Sequence, residues 1–211
     1  MKKIIAIITA SFLLSTSAYA GAMIGVKLGQ GDLEGHKNSY TAGSNTYSAQ
    51  TASESSEYAA IFAEVELGMV EGLSLGVEYI PFTATLGVDN LDSTDSHLEL
   101  SEHTTVYALF MKDMGGSMAY VKAGYANADI GNVKANSDGT TINSHDGTLE
   151  GPMVGAGIQA EIDGGLIGRL EVTYTEYDTV SATTTSNGSS SVKKNAEGDI
   201  TTFSVSFAKA F

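Results

Sequence analysis

The dominant feature of the sequence is a period-two alternation of apolar and polar residues in segments of about ten residues. This period is typical of a β-strand with two different faces, and about ten residues is the length of a tilted strand that crosses a membrane. No later stretch approaches the roughly 18 consecutive apolar residues of a membrane-spanning helix. The chain is therefore predicted to be all-β. Eight segments carry the pattern: 22–31, 57–67, 73–83, 103–112, 118–128, 152–162, 166–177 and 200–211.

The connections between these segments are of two kinds, which alternate strictly along the chain. Three are short, at residues 69–72, 113–116 and 163–165. Four are long and rich in Ser, Thr, Asn, Asp and Gly, at about 33–55, 86–101, 131–148 and 180–198. Up-and-down barrels of the outer membrane have short periplasmic turns and long outer loops, whereas a soluble sandwich or lipocalin-like barrel does not need this order. We predict an eight-stranded antiparallel up-and-down transmembrane β-barrel over residues 21–211.

The N-terminus has the three-part form of a cleavable export signal. Lys2 and Lys3 precede an apolar run over residues 4–14, and small residues follow up to Ala18-Tyr19-Ala20. The run is shorter than the roughly 20 residues that a helix needs to cross a bilayer. We predict that residues 1–20 are removed on export, and a retained N-terminal helix is the alternative.

Charge and cysteine content exclude several classes of partner. Removing Lys2 and Lys3 leaves 25 acidic side chains against 9 basic ones, a net charge of −16. Nucleic acid would be repelled by such a surface. The absence of cysteine excludes disulfides and thiolate metal sites. We expect a single-domain monomer without a cofactor.

The last two-faced segment separates bulky from small side chains. One face has small residues such as Ser204 and Ser206, which suit a narrow interior, and the other is bulky and apolar, which suits lipid. The bulky face consists of Phe203, Val205, Phe207 and Phe211. Tyrosines on the same outer side could form the aromatic girdle of a membrane barrel: Tyr79, Tyr125 and Tyr174.

Charged residues on the opposite faces are predicted to fill the interior. Four cations meet five carboxylates there, and Arg169 is expected to pair with Glu171 or Glu78. Because an unpaired buried charge is costly, these groups must pair or meet water. A polar plug is favoured over an open channel, since eight strands leave little more space than side chains fill. The predicted network is Lys27, Glu64, Glu66, Glu78, Lys112, Lys122, Glu161, Arg169 and Glu171.

Three short stretches resemble the OmpA/OmpX-like superfamily of small outer-membrane barrels. Residues 120–125 resemble its fifth strand, while Gly155-Ala156-Gly157 and residues 169–174 resemble its sixth and seventh. The terminal Phe211, with Phe203, Val205 and Phe207 at alternate positions before it, resembles the insertion signal read by the barrel-assembly machinery, and Lys209 departs from that pattern. The resemblance implies an eight-stranded membrane barrel in the outer membrane. It leaves the activity open, because members include anchors, adhesins, narrow channels and a few lipid-modifying enzymes.

The predicted loops contain the remaining candidates for chemistry. The acidic group near His97 and His103 could hold a divalent cation that bridges to glycolipid phosphates. Its spacing, however, does not match the EF-hand pattern. A solvated acidic rim is therefore favoured, and no metal site is predicted. That group is Asp89, Asp92, Asp95, Glu99 and Glu102. Ser96-His97 and Ser144-His145-Asp146 are the sole candidates for a lipid-modifying site, so no catalytic residue is assigned.

The leading functional hypothesis is a non-enzymatic structural or surface-interaction scaffold of the outer membrane. Its partners would be membrane lipid, the assembly machinery during insertion and a surface ligand bound by the loops. A narrow porin-like channel for small solutes is the main alternative, and a lipid-modifying enzyme is the third.

Overall fold

The structure, a computed structural model, describes residues 21–42, 44–81, 84–90, 94–134, 140–186 and 191–211, so the predicted export signal lies outside the described residues. These residues form strands almost throughout. None of the described residues forms a helix that is long and apolar enough to cross a membrane. The strands are β1 (Ala22–Lys37), β2 (Tyr40–Ala42), β3 (Asn45–Tyr47), β4 (Gln50–Glu66), β5 (Leu73–Ile80), β6 (Ala84–Asn90), β7 (Thr94–Asp113), β8 (Met118–Lys134), β9 (Thr140–His145), β10 (Thr148–Asp163), β11 (Leu166–Ser186) and β12 (Val192–Ala210).

Eight of the strands close into an antiparallel ring. The order around it is β1, β4, β5, β7, β8, β10, β11 and β12, and β12 pairs again with β1. Two further strands lie along the ring, since β6 pairs with β7 and β9 pairs with β11, while β2 and β3 form a separate hairpin. The predicted all-β, eight-stranded up-and-down barrel is confirmed.

The three predicted short connections join β4 to β5, β7 to β8 and β10 to β11 at one end of the barrel, here called the short-turn end. Gly115 and Gly116 both have positive φ, at 83° and 110°, in the tightest part of the β7–β8 turn. That conformation costs glycine little because it has no Cβ. The other end, where the long connections lie, is called the long-loop end.

The predicted long loops are wrong in extent, because most of their described residues continue the barrel strands. β1 and β4 stay in register out to Lys37 opposite Gln50, and β11 and β12 pair as far as Thr184 opposite Val192. A β-ladder is held by backbone hydrogen bonds, so it does not require apolar side chains. The apolar alternation ends where lipid contact would end, while the ladder continues.

The barrel is apolar on the outside and polar on the inside, as expected for a membrane barrel. Exposed apolar side chains occur on all eight strands of the ring, far more than a water-soluble protein displays. The predicted outer tyrosines Tyr125 and Tyr174 are exposed, and Tyr79 is half-buried. The outer apolar face includes Val26, Leu28, Ile61, Leu75, Val106, Phe110, Val121, Val154, Ile158, Leu170, Val172, Phe203, Val205 and Phe207.

Candidate functional site in the barrel interior

Six charged side chains meet inside the barrel, and we call them the interior ion network. All six are buried, and they come from five strands of the ring: β1, β4, β5, β8 and β11. Three are cations and three are carboxylates, so the network is neutral although the chain as a whole is strongly acidic. The members are Lys27, Glu64, Glu78, Lys122, Arg169 and Glu171.

Two lysines and two glutamates form one half of the network. Lys27 Nζ donates to Glu78 Oε2 and, at 2.6 Å, to Glu171 Oε1. Lys122 Nζ lies 3.2 Å from each of the same two oxygens. Each lysine therefore bridges both carboxylates, and each carboxylate meets two cations. This alternation lets four buried charges compensate one another without water.

Arg169 forms the other half with Glu64. Its Nη1 and Nη2 donate to the two carboxylate oxygens at 2.7 and 2.9 Å, the bidentate geometry that suits a guanidinium. Gln159 Oε1 accepts from Arg169 Nε at 3.1 Å and from Nη2 at 2.6 Å. The prediction that Arg169 pairs with Glu171 or Glu78 is wrong, because register places its side chain toward Glu64 on β4. Sequence alternation gives the face of a residue and not its partner across the lumen.

Two tyrosines connect the halves. Tyr120 Oη donates to Glu171 Oε2 at 2.9 Å, and Tyr107 Oη donates to Glu64 Oε1 at 2.8 Å. The same rings face the cations, since Lys122 Nζ is 3.9 Å from the centre of the Tyr107 ring and Arg169 Cζ is 4.9 Å from that of Tyr120. Each tyrosine thus donates a hydrogen bond to a carboxylate of one half and makes a cation–π contact with a cation of the other half.

Gly157 makes room for one of these tyrosines. A Cβ added there would lie 2.3 Å from Tyr120 Oη, closer than any real contact. Only a residue without a Cβ therefore leaves room here for the large neighbouring side chain. The side chain of Tyr120, which bonds Glu171, can therefore pass over the neighbouring strand β10.

Apolar side chains pack against the network. Met23, Phe62 and Ala208 form one cluster, with Ile167 against them, and Arg169 Cζ is 5.3 Å from the centre of the Phe62 ring. Toward the long-loop end, Tyr177 and Leu149 pack with further apolar side chains. Between this second cluster and the network is a cavity of about 410 Å³, with Glu78 and Lys122 among its lining residues. The network is thus bordered by apolar side chains and, on the side of the long-loop end, by this cavity.

Three of the nine predicted network residues lie elsewhere. Glu66 and Glu161 are on interior faces but at the short-turn end, where they are exposed, and Glu161 Oε1 accepts from the Gly165 amide at 2.8 Å. Lys112 is exposed on the outer face, because the interior face of β7 carries Thr105, Tyr107 and Leu109. Glu66 and Glu161 are too close to the short-turn end to join the network, and Lys112 is excluded from it because its side chain is on the outer face of β7.

Several interior residues were missed by the analysis of charge alone. Three neutral residues lie there: Gln159, Tyr107 and Tyr120. Each is an even number of residues from other inward-facing residues of its strand, and this alternation could have identified them. His103, which begins the predicted segment 103–112 and adjoins the acidic loop group, lies in the lumen, where its Nε2 is 3.0 Å from Tyr177 Oη. A register shift between Ser101 and Thr104 on β7 includes Glu102, whose φ is 52°. Such a bulge changes which face later residues occupy.

The candidate enzyme residues do not form a relay in the described side chains. His145 Nδ1 is 2.7 Å from the backbone oxygen of Asp146, and the Asp146 carboxylate accepts from the Ser181 amide at 2.7 Å. The side chains of Ser96, His97 and Ser144 lie outside the described residues, as do those of Asp89, Asp92, Asp95 and Glu99.

Fold and interior together define a class, the small eight-stranded β-barrel with an apolar outer face and a polar interior. The outer membrane protein OprG from Pseudomonas aeruginosa has this fold, with 12% identity, a TM-score of 0.70, and 92% of this chain and 97% of that chain covered. This chain thus has the fold of small outer-membrane barrels, as its resemblance to the OmpA/OmpX-like superfamily implied.

Two further solved structures are more distant matches. Neisserial surface protein A is 15% identical, with a TM-score of 0.43 and coverage of 88% of this chain and 97% of that one. Ail of Yersinia pestis is 10% identical, with a TM-score of 0.44 and coverage of 90% and 99%. No protein-family model and no curated protein sequence matches the chain. The fold assignment rests on the first comparison.

Proposed function

We propose that the protein is an integral outer-membrane barrel with a closed lumen, which acts as a scaffold for contacts at the cell surface. The observation that carries this proposal is the interior ion network. Eight strands enclose little more than the volume of their inward side chains. Here that volume contains six paired charges and two tyrosines that bond to them.

The pairing itself favours a closed lumen over a water-filled one. Charges that line an aqueous pore can be left unpaired because water solvates them, whereas buried charges must be compensated. Every carboxylate of the network accepts a hydrogen bond from a cation. Equal numbers of positive and negative groups also leave no net charge that would attract a permeating ion.

The long-loop end supplies a structured surface for contacts. The β2–β3 hairpin stacks Tyr40 on Tyr47 with ring centres 4.7 Å apart, and Tyr47 is exposed. Lys194 Nζ lies 4.7 Å from the centre of the Tyr40 ring. Aromatic side chains held in place by their neighbours are the usual anchors of protein recognition, because little entropy is lost when they bind.

A narrow channel for small solutes is the second candidate, and the cavity of about 410 Å³ favours it. The cavity extends down to Glu78 and Lys122, so a solute that entered from the long-loop end would meet the network directly. Movement of those two side chains would be required for passage. In the scaffold proposal the cavity ends at the network.

Conductance in planar lipid bilayers separates the two functions. We expect the purified protein to show no steady conductance. The double variant Lys122→Ser/Glu78→Ser should conduct, because it removes the two side chains at the inner end of the cavity and leaves Lys27 paired with Glu171. The matched control is Lys112→Ser/Glu66→Ser, which also removes one charge of each sign but at exposed positions. It should remain closed. If the unmodified protein conducts as well as the lumen variant does, the lumen is open and the channel hypothesis replaces the scaffold.

A further inference from the structure

The outer surface carries a row of like charges across the seam where the barrel closes. Glu34 on β1 lies directly opposite Asp199 on β12, and Asp199 lies directly opposite Glu176 on β11. Like charges placed opposite each other on neighbouring strands destabilise a sheet. No described lysine or arginine forms an ion pair with any of the three. The row therefore lacks a strong positive counterion among the described side chains.

One histidine, His36, lies beside this row, two residues along β1 from Glu34. His36 Nε2 is 3.7 Å from Asp199 Oδ1, and one ligand atom from each of Glu34, His36 and Asp199 lies within 4.8 Å of the others. The second ring nitrogen, Nδ1, is 3.2 Å from Thr51 Oγ1 on β4. A hydrogen bond to Nδ1 of this kind orients a metal-binding imidazole and leaves Nε2 available as the ligand.

We propose that Glu34, His36 and Asp199 bind a divalent transition-metal ion of the Zn²⁺ class. Ligands at about 2.1 Å around a tetrahedral ion are about 3.4 Å apart, close to the separation of His36 Nε2 and Asp199 Oδ1. Rotation of the exposed Glu34 side chain brings the third ligand in. Three protein ligands leave the fourth position to water. An imidazole nitrogen selects Zn²⁺ over Ca²⁺ and Mg²⁺, which take oxygen ligands.

The position of the site gives the ion a structural role. Two ligands are on the first strand of the ring and one is on the last, so the ion would link the two strands whose pairing closes the barrel. It would also neutralise the facing carboxylates. Because such an ion binds the folded protein and not the separated strands, it stabilises the closed barrel at the long-loop end.

The test is calorimetric titration of the folded protein in detergent micelles with Zn²⁺ alone. We expect one ion per chain, and Ca²⁺ at the same concentration should not compete. His36→Ala and Asp199→Asn, which remove ligands from different strands, should each weaken Zn²⁺ binding by a factor of about ten or more. Zn²⁺ should raise the temperature at which the folded form is lost, and His36→Ala should abolish that increase.

Two control variants should bind Zn²⁺ as the unmodified protein does, within about twofold. Glu57→Gln removes an exposed carboxylate of β4, which lies opposite Gln30, four residues along β1 from Glu34. His145→Ala removes a different exposed histidine.

Co²⁺ should give the intense visible absorption of a tetrahedral site in the unmodified protein and not in His36→Ala. Unchanged Zn²⁺ affinity in both ligand variants, or equal binding of Ca²⁺, would overturn the proposal. Either result is independent of conductance.

Discussion

At the scale of single residues, two requirements determine how the interior is packed. Each buried charge needs a counterion, and each large side chain needs room. Arg169 makes four hydrogen bonds, two to Glu64 and two to Gln159. Glu64 in turn has no cation among the described residues other than Arg169, although Tyr107 also donates to it. The pair is therefore more sensitive to loss of one member than the lysine–glutamate half, where each group has two partners.

Removal of Arg169 alone should strongly destabilise the barrel. We expect Arg169→Met to lower the free energy of unfolding by about 3 kcal/mol, because Glu64 is left as a buried, unpaired charge. The double variant Arg169→Met/Glu64→Leu should recover most of this loss. Since the chain contains no tryptophan, denaturant unfolding is best followed by far-ultraviolet circular dichroism. A single variant as stable as the unmodified protein would show that water already solvates Glu64.

A methyl group at Gly157 should disrupt the position of Tyr120. Gly157→Ala places a Cβ where the tyrosine hydroxyl lies, so the bond from Tyr120 to Glu171 must lengthen or break. We expect a cost of about 1 to 3 kcal/mol in the same unfolding measurement. Gly147→Ala is the matched control, because a Cβ there has no neighbour within 4 Å. Equal stability of the two variants would contradict the packing explanation.

At the scale of elements, β12 has both a structural and a predicted assembly role. Phe203, Val205 and Phe207 are exposed on the outer face, and Phe211 continues the series beyond the end of the strand. The Phe211 amide donates to the Ala22 carbonyl at 2.9 Å, and its own carbonyl accepts from the Gly21 amide at 3.1 Å. The last residue therefore helps to close the ring at the short-turn end.

The contribution of Phe211 to assembly can be separated from its contribution to closure. Deleting Phe211 should greatly reduce insertion into outer membranes, whereas deleting a residue of the long-loop end should not. Phe211→Ala keeps the backbone hydrogen bonds but removes the aromatic ring. If the ring is read by the assembly machinery, this variant should insert poorly in cells yet fold normally from denaturant into detergent micelles. Normal insertion of both variants would remove the basis for the predicted signal.

At the scale of the whole molecule, the barrel reverses the distribution of polar and apolar side chains that is usual in a water-soluble protein. All eight strands of its ring expose apolar side chains, and its buried interior contains an ion network. Lipid replaces water as the outer solvent in this arrangement, so burial of apolar surface depends on the membrane. The strands that continue past the apolar face extend this rigid wall into the long-loop end.

The predicted location has a direct test. The mature protein should fractionate with outer membranes, and it should migrate faster on detergent gels before boiling than after it, because a closed barrel stays compact in detergent. Antibody or protease access to the β2–β3 hairpin on intact cells should report which end faces outward. Recovery of the protein as a soluble periplasmic species would contradict the membrane assignment, and with it the scaffold proposal.

The sequence alone determined the number of strands in the ring, their order and the face of most of their residues. Period-two alternation follows directly from strand geometry, and the alternation of short and long connections follows from an up-and-down path. Both are local properties. Six of the nine predicted interior charges lie in the interior ion network for this reason, including Lys27 on β1 and Arg169 on β11.

The tertiary structure decided the burial, the partners and the strand lengths that local sequence patterns do not encode. Whether Glu66 and Glu161 are buried depends on their height in the ring, and the partner of Arg169 depends on the offset between β4 and β11, which are not neighbours. The length of the strands depends on backbone pairing beyond the apolar face. The Glu34–His36–Asp199 cluster exists because closure brings the first and last strands together. Contacts between residues far apart in the chain are set by the ring as a whole, and alternation within one strand does not encode them.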